Sequence, residues 1–116
     1  MATIDDVRRI AMSLPRTTEH LIGDHTKFRV GRLVYASVSP DEERIGFGFP
    51  KEEREALVAS EPGTFMMPER RDERYHWVRA RLAALDAGEL RELLTDAWCM
   101  VVPKTVAARY LAGQLS

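Results

Sequence analysis

The chain has 116 residues, 45% of them hydrophobic and 30% charged, and a formal net charge of −1. That length suits one core, so a single domain over residues 1–116 is expected, and the composition excludes a disordered chain. No apolar run approaches the ~20 residues of a membrane helix. Met1 to Asp6 lacks the basic and apolar stretches of a signal peptide, and the lone Cys99 excludes an internal disulfide. A cytoplasmic protein with no membrane partner is therefore expected. Near-neutrality argues against a strong nucleic-acid binder, but the charge is segregated. His25 to Pro40 holds Lys27, Arg29 and Arg32 and no acid, whereas acids cluster at Asp41–Glu43 and Glu52–Glu55.

Thr3 and Asp6 form a capping box with Asp in the usual Glu place, and Ile4, Val7, Ile10, Ala11 and Leu14 follow on one helical face. Pro15 ends that helix, because the residue before a proline avoids α geometry. Lys27–Val30 alternates charged and apolar residues as a half-buried strand, Gly31-Arg32 is a two-residue turn, and Leu33–Val38 returns. After a polar turn over residues 39–43, Arg44–Phe49 is a third strand, with Ile45, Phe47 and Phe49 on one face and Gly46 and Gly48 on the other.

A helix beginning at Pro50 and rich in glutamate in its first turn should run to about Ser60. Thr64–Met67 and Tyr75–Leu82 are the fourth and fifth strands. Asp86 and Glu89 cap a helix whose apolar stripe is Leu90, Leu93, Leu94, Ala97, Trp98 and Val101. Pro103 opens a last helix to about Ala112, anchored by Val106, Tyr110 and Leu111. The expected fold is α+β in two layers: an antiparallel five-stranded sheet with helices packed on one face, in the order α-β(3)-α-β(2)-α-α. Unpaired sheet edges leave both monomer and dimer open.

Candidate chemistry is sparse. His20 and His25, with Glu19 and Asp24 beside them, fall in an expected loop, but their spacing matches no metal motif and no fourth ligand is evident, so no metal or cofactor is expected. Cys99 lies one position off an apolar stripe and reads as a small packed residue. Gly46-Phe47-Gly48 lacks the third glycine and the strand-to-helix turn of a phosphate loop, so the glycines either make room for something packed over the sheet or mark a bulge. No catalytic residue stands out, and no enzyme is expected.

The strands carry the stronger signal. With Phe28, Val30, Val78, Ala80 and Leu82 inward, Lys27, Arg29, Arg79 and Arg81 point outward with Trp77 among them. Cations there would contact phosphates, and an aromatic would stack on a base or wedge into a groove. A solvated strand face balanced by nearby acids is the plain alternative. This register also places His76 inside and Trp77 outside, an unfavourable exchange unless a bulge intervenes.

The ordered set Leu14-Pro15, Lys27–Arg32, Trp77, Leu82, Asp86, Glu89-Leu90, Leu93-Leu94, Ala97-Trp98 and Val102-Pro103-Lys104 resembles the MmcQ/YjbR-like family of small bacterial proteins, over nearly the whole chain. The resemblance implies an α-β(3)-α-β(2)-α domain like that of type III secretion chaperones. It also implies DNA binding through a double wing, in which hairpins project toward the nucleic acid. The basic hairpin with Lys27, Arg29 and Arg32 matches one wing, and Arg74, His76 and Arg79 fall near the second. Weak, salt-sensitive contact with double-stranded DNA is thus expected from Lys27, Arg29, Arg32, Arg79 and Arg81, with Trp77 and Lys104 in support. Two alternatives stand beside it. One is a chaperone-like module taking a protein partner on the sheet face or edge. The other is a small-molecule (drug) binder, whose pocket between sheet and helices would be lined by Phe47, Phe49, Met66 and Trp98.

Overall fold

In the structure, a computed structural model describing residues 1–115, the order is α1 (Ile4–Ser13), β1 (Thr17–Ile22), β2 (His25–Val30), β3 (Leu33–Val38), β4 (Arg44–Gly48), α2 (Lys51–Ser60), β5 (Phe65–Met66), β6 (Trp77–Arg81), α3 (Ala87–Cys99) and α4 (Lys104–Leu115). The sheet is antiparallel throughout, with strand order β1-β2-β3-β4-β6-β5. It has six strands, not the expected five. The added strand is β1, so His20 and His25 sit in paired strands and not in a loop. Gly23-Asp24 closes the first hairpin with Gly23 at φ 61°, and Gly31-Arg32 closes the second with Gly31 at φ 59°, a conformation that glycine adopts freely.

Both capping boxes form. Asp6 N–H donates to Thr3 and Thr3 N–H to Asp6, while Glu89 N–H donates to Asp86 at 2.7 Å and Asp86 N–H to Glu89 at 3.3 Å. Leu14, ahead of Pro15, is extended and ends α1. The apolar stripes of α1 (Val7, Ile10, Ala11) and α3 (Leu90, Leu94, Ala97, Trp98) bury against the sheet face made by Phe28, Ala36, Val38, Ile45, Phe47, Val78 and Ala80. Trp98 is fully buried, donates its indole N–H to the Pro15 carbonyl at 2.8 Å, and meets Tyr110 of α4 edge to face.

One irregularity reshapes the sheet. The pairing of β2 with β3 shifts between Phe28 and Arg29, leaving Tyr35 as an extra residue in β3. The bulge lets consecutive residues Tyr35 and Ala36 both bury. The Tyr35 hydroxyl donates to the Ala11 carbonyl at 3.4 Å and shares a 2.8 Å hydrogen bond with Thr17, joining β3 to α1 and β1.

Candidate functional site

On the opposite face of the sheet four of the sequence-predicted site residues, Lys27, Arg32, Trp77 and Arg79, line one groove. Cross-strand register puts His20, Lys27, Ser37, Gly46, Arg79 and Met66 in one row across all six strands. Over this row runs an open groove of ≈ 1050 Å³, walled by the β2–β3 turn (Arg32, Leu33), the β3–β4 turn (Ser39 to Asp41) and the connection between β5 and β6 (Glu69 to His76). The register also places the β2–β3 turn, the end of β4 and the β5–β6 connection at the same end of the sheet.

Trp77 forms part of the groove floor. It pairs with Gly48 but leans over Gly46: a Cβ on Gly46 would lie 2.5 Å from the indole Nε1 and 2.9 Å from Cε2. Only glycine leaves the room that this indole fills, which is the close approach expected of a glycine inside a strand. Gly48, by contrast, meets Ala97 and Met100, so the two glycines do not share a role. The exchange of His76 for Trp77 has a simple resolution. The strand starts at Trp77, and exposed His76 lies outside it, where its Nδ1 accepts the Lys51 N–H at 3.0 Å, closing the start of α2 from outside.

The cations on this face differ in freedom. Arg79 is half-buried, donating to the Met67 carbonyl at 3.0 Å and lying 4.0 Å from Glu69, so it ties the β5–β6 connection to the sheet. Arg44 lies 3.7 Å from Asp41, and Arg71 3.2 Å from Glu69. Among the described residues, Lys27 and Arg32 of the groove have no ion-pair or hydrogen-bond partner, and the Arg29 Nε is buried with no acceptor. Arg81 is exposed at the far end of β6, beside a separate cleft with Glu42 and Glu43. Lys104 begins α4 in the helix layer, apart from these cations.

Sequence reasoning missed the residue that builds one groove wall. Arg54 of α2 is 7% exposed and donates to the backbone carbonyls of Glu73, Tyr75 (2.8 Å) and Trp77 (3.2 Å). Its position in a charged helix start conceals this use, and only the chain reversal over 67–76 brings the carbonyls to it.

Neither a reactive thiol nor a metal cluster appears on these residues. Burial, helped by nearby Asp96, pushes the Cys99 thiol up, away from the reactive thiolate. Among the described residues, no three His, Cys, Asp or Glu side chains are grouped to hold a metal. The expected drug pocket meets a filled core: Phe47 and Trp98 are fully buried, and the groove described above lies on the other side of the sheet.

A helix-backed antiparallel sheet with a charged, open outer face defines a small α+β domain. The sequence pattern of the YjbR family matches residues 12–100, and the chain belongs to that family. Uncharacterised proteins of Mycobacterium tuberculosis and Mycobacterium bovis are each 35% identical to it over 131 aligned positions, covering 97% of this chain and 98% of theirs. The crystal structure of Deinococcus radiodurans protein DR2400, domain DUF419, superposes with a TM-score of 0.73 at 27% identity, over 86% of this chain and 78% of that one.

Proposed function

We propose that this YjbR-family domain binds DNA on the helix-free face of its sheet and performs no chemistry on it. Lys27 and Arg32 supply the phosphate contacts from the groove, with Arg29 beside them on β2 and Arg81 beyond the groove at the far end of β6. The single observation behind this reading is that the groove's Lys27 and Arg32 side chains lack protein partners while its Arg44, Arg71 and Arg79 are tied internally. A cation held by no protein acceptor is free to displace counterions from phosphate. The β2–β3 hairpin and the β5–β6 connection flank the groove at one end of the sheet, a layout that suits two wings. Arg79 and Lys104 drop out as principal contacts, one because it is engaged and the other because it lies in the helix layer.

The test is fluorescence anisotropy of a labelled duplex at about 50 and 200 mM salt, where each neutralised phosphate contributes about −0.9 to the slope of log affinity on log salt. The wild-type protein should bind at low salt and release at high salt. Lys27→Glu/Arg32→Glu should weaken binding to every duplex alike and flatten the slope by about two. Undiminished affinity in that double variant sinks the assignment.

A second, chaperone-like reading is favoured by a different observation. Strand β1 is a sheet edge, and its Leu21 and Ile22 are 75% and 43% exposed. Such an edge can take an extended peptide as a further strand. Capture of that kind would barely respond to salt and would be lost in Leu21→Lys.

A further inference from the structure

We infer that the groove accepts single-stranded nucleic acid, with one unpaired base lying on the Trp77 indole. The inference rests on the proposed DNA-binding face and specifies what that face takes. The indole is seated on Gly46, which places no side chain beneath it, and lines the groove. Among the described residues its Nε1–H has no hydrogen-bond partner, whereas the indole of Trp98 is bonded and buried. Trp77 is therefore a half-buried aromatic side chain packed on Gly46 and lining the groove.

The surroundings select the ligand. Free Lys27 stands two strands from Gly46, over which the indole leans, roughly 10 Å across the sheet, and free Arg32 sits on the hairpin tip. One ligand that offers an aromatic plane beside a chain of negative charges satisfies both features. A duplex does not, because its bases are stacked on one another and its backbone presents no flat ring to a groove floor. An unstacked base does, and every base has a π-face, so binding tolerates sequence. The groove is open, and its ≈ 1050 Å³ reaches the upper limit of small-molecule pockets. That size suits a strand passing through better than a single enclosed molecule.

The probes are a ~12-nucleotide oligo-dT, within the span such sites cover, and a blunt duplex of the same length, read by anisotropy and tryptophan emission. The oligo-dT should bind more tightly than the duplex and quench Trp77, with Trp98 shielded in the core. Trp77→Ala should weaken oligo-dT binding by about 5- to 150-fold, the loss of one stacked base, while duplex affinity stays within about twofold. Gly46→Ala keeps every charge and the ring but removes the indole's seat, and should give the same selective loss. Circular dichroism and Trp98 emission check that both variants fold, and Trp77→Phe, which keeps a ring, should fall between wild type and Trp77→Ala. If the duplex binds as well as oligo-dT, or Trp77→Ala leaves oligo-dT binding intact while Lys27→Glu/Arg32→Glu weakens it, stacking is overturned and the phosphate face stands. If no variant differs from wild type and neither probe binds at low salt, both readings fall.

Discussion

Tyr35 shows how one added residue changes what a strand can do. An unbulged β3 would turn Tyr35 to the outer face, but the register shift turns it inward, where it is fully buried and bonded to Thr17 and Ala11. Burial pushes its hydroxyl up to about 12, with the Thr17 hydrogen bond partly opposing the rise. Its ordinary value is 10.0, so the folded state holds this proton more tightly than the unfolded chain does. The resulting stability is complete below pH 10 and drains away as pH climbs toward about 12. Urea denaturation across that range should show the decline. Tyr35→Phe should remove this part of the alkaline dependence and cost ~1 kcal/mol at neutral pH for the lost hydrogen bonds.

Among the elements, the β5–β6 connection is the one whose order depends on a single distant side chain. Residues 67–76 carry one short 3₁₀ turn, Arg70–Asp72, and few apolar anchors. Arg54 gathers two of the connection's carbonyls, and that of Trp77 at the start of β6, and Arg79 takes a third from the connection at Met67. Arg54→Met keeps the helix and the volume but strands those acceptors, and should cost ~2–4 kcal/mol. Chemical denaturation measures the cost, and faster amide exchange at 69–76 would locate it. Strand β1 was the other element hidden from pattern reading. Its exposure does not alternate, because an edge strand with Leu21 and Ile22 open to solvent has no clean buried face. A signal did exist: Gly23-Asp24 is a Gly-Asp turn eight residues ahead of Gly31-Arg32, and repeated two-residue turns mark a meander.

Over the whole molecule, the buried core and the proposed binding face lie on opposite sides of one sheet. The helix side holds the buried cluster, and the open side holds polar and charged residues over a groove. Substitutions of Lys27 and Arg32 should therefore change affinity and leave stability within ~0.5 kcal/mol. The same division predicts a gradient of opening. Amides of the central strands β4 and β6, whose Ile45, Phe47, Val78 and Ala80 are fully buried, should exchange only on global unfolding. Those at the β1 edge and in the β5–β6 connection should exchange through local openings several orders of magnitude faster, as residue-resolved hydrogen exchange would show. Equal protection in β1 and β4 would mean that the edge is covered in solution, which is the behaviour of a dimer. Among the described residues, no helix is long and apolar enough to cross a membrane.

Local chemistry by itself determined the helices, the last three strands of the β1–β4 meander, the capping boxes at Thr3 and Asp86, and the outward cations of β2. These follow from periodicity, caps and turn residues, which act within a few positions of one another. Three things depended on the tertiary structure: the seat of Trp77 on Gly46, the use of Arg54 and Arg79 as ties for the β5–β6 connection, and the separation of Lys104 from the sheet face. Each depends on strand order, and β6 reaches its place between β4 and β5 only after the chain has crossed the sheet through α2. A pattern of spacings records which face a residue takes, but the partner across the sheet is chosen by where that crossing returns.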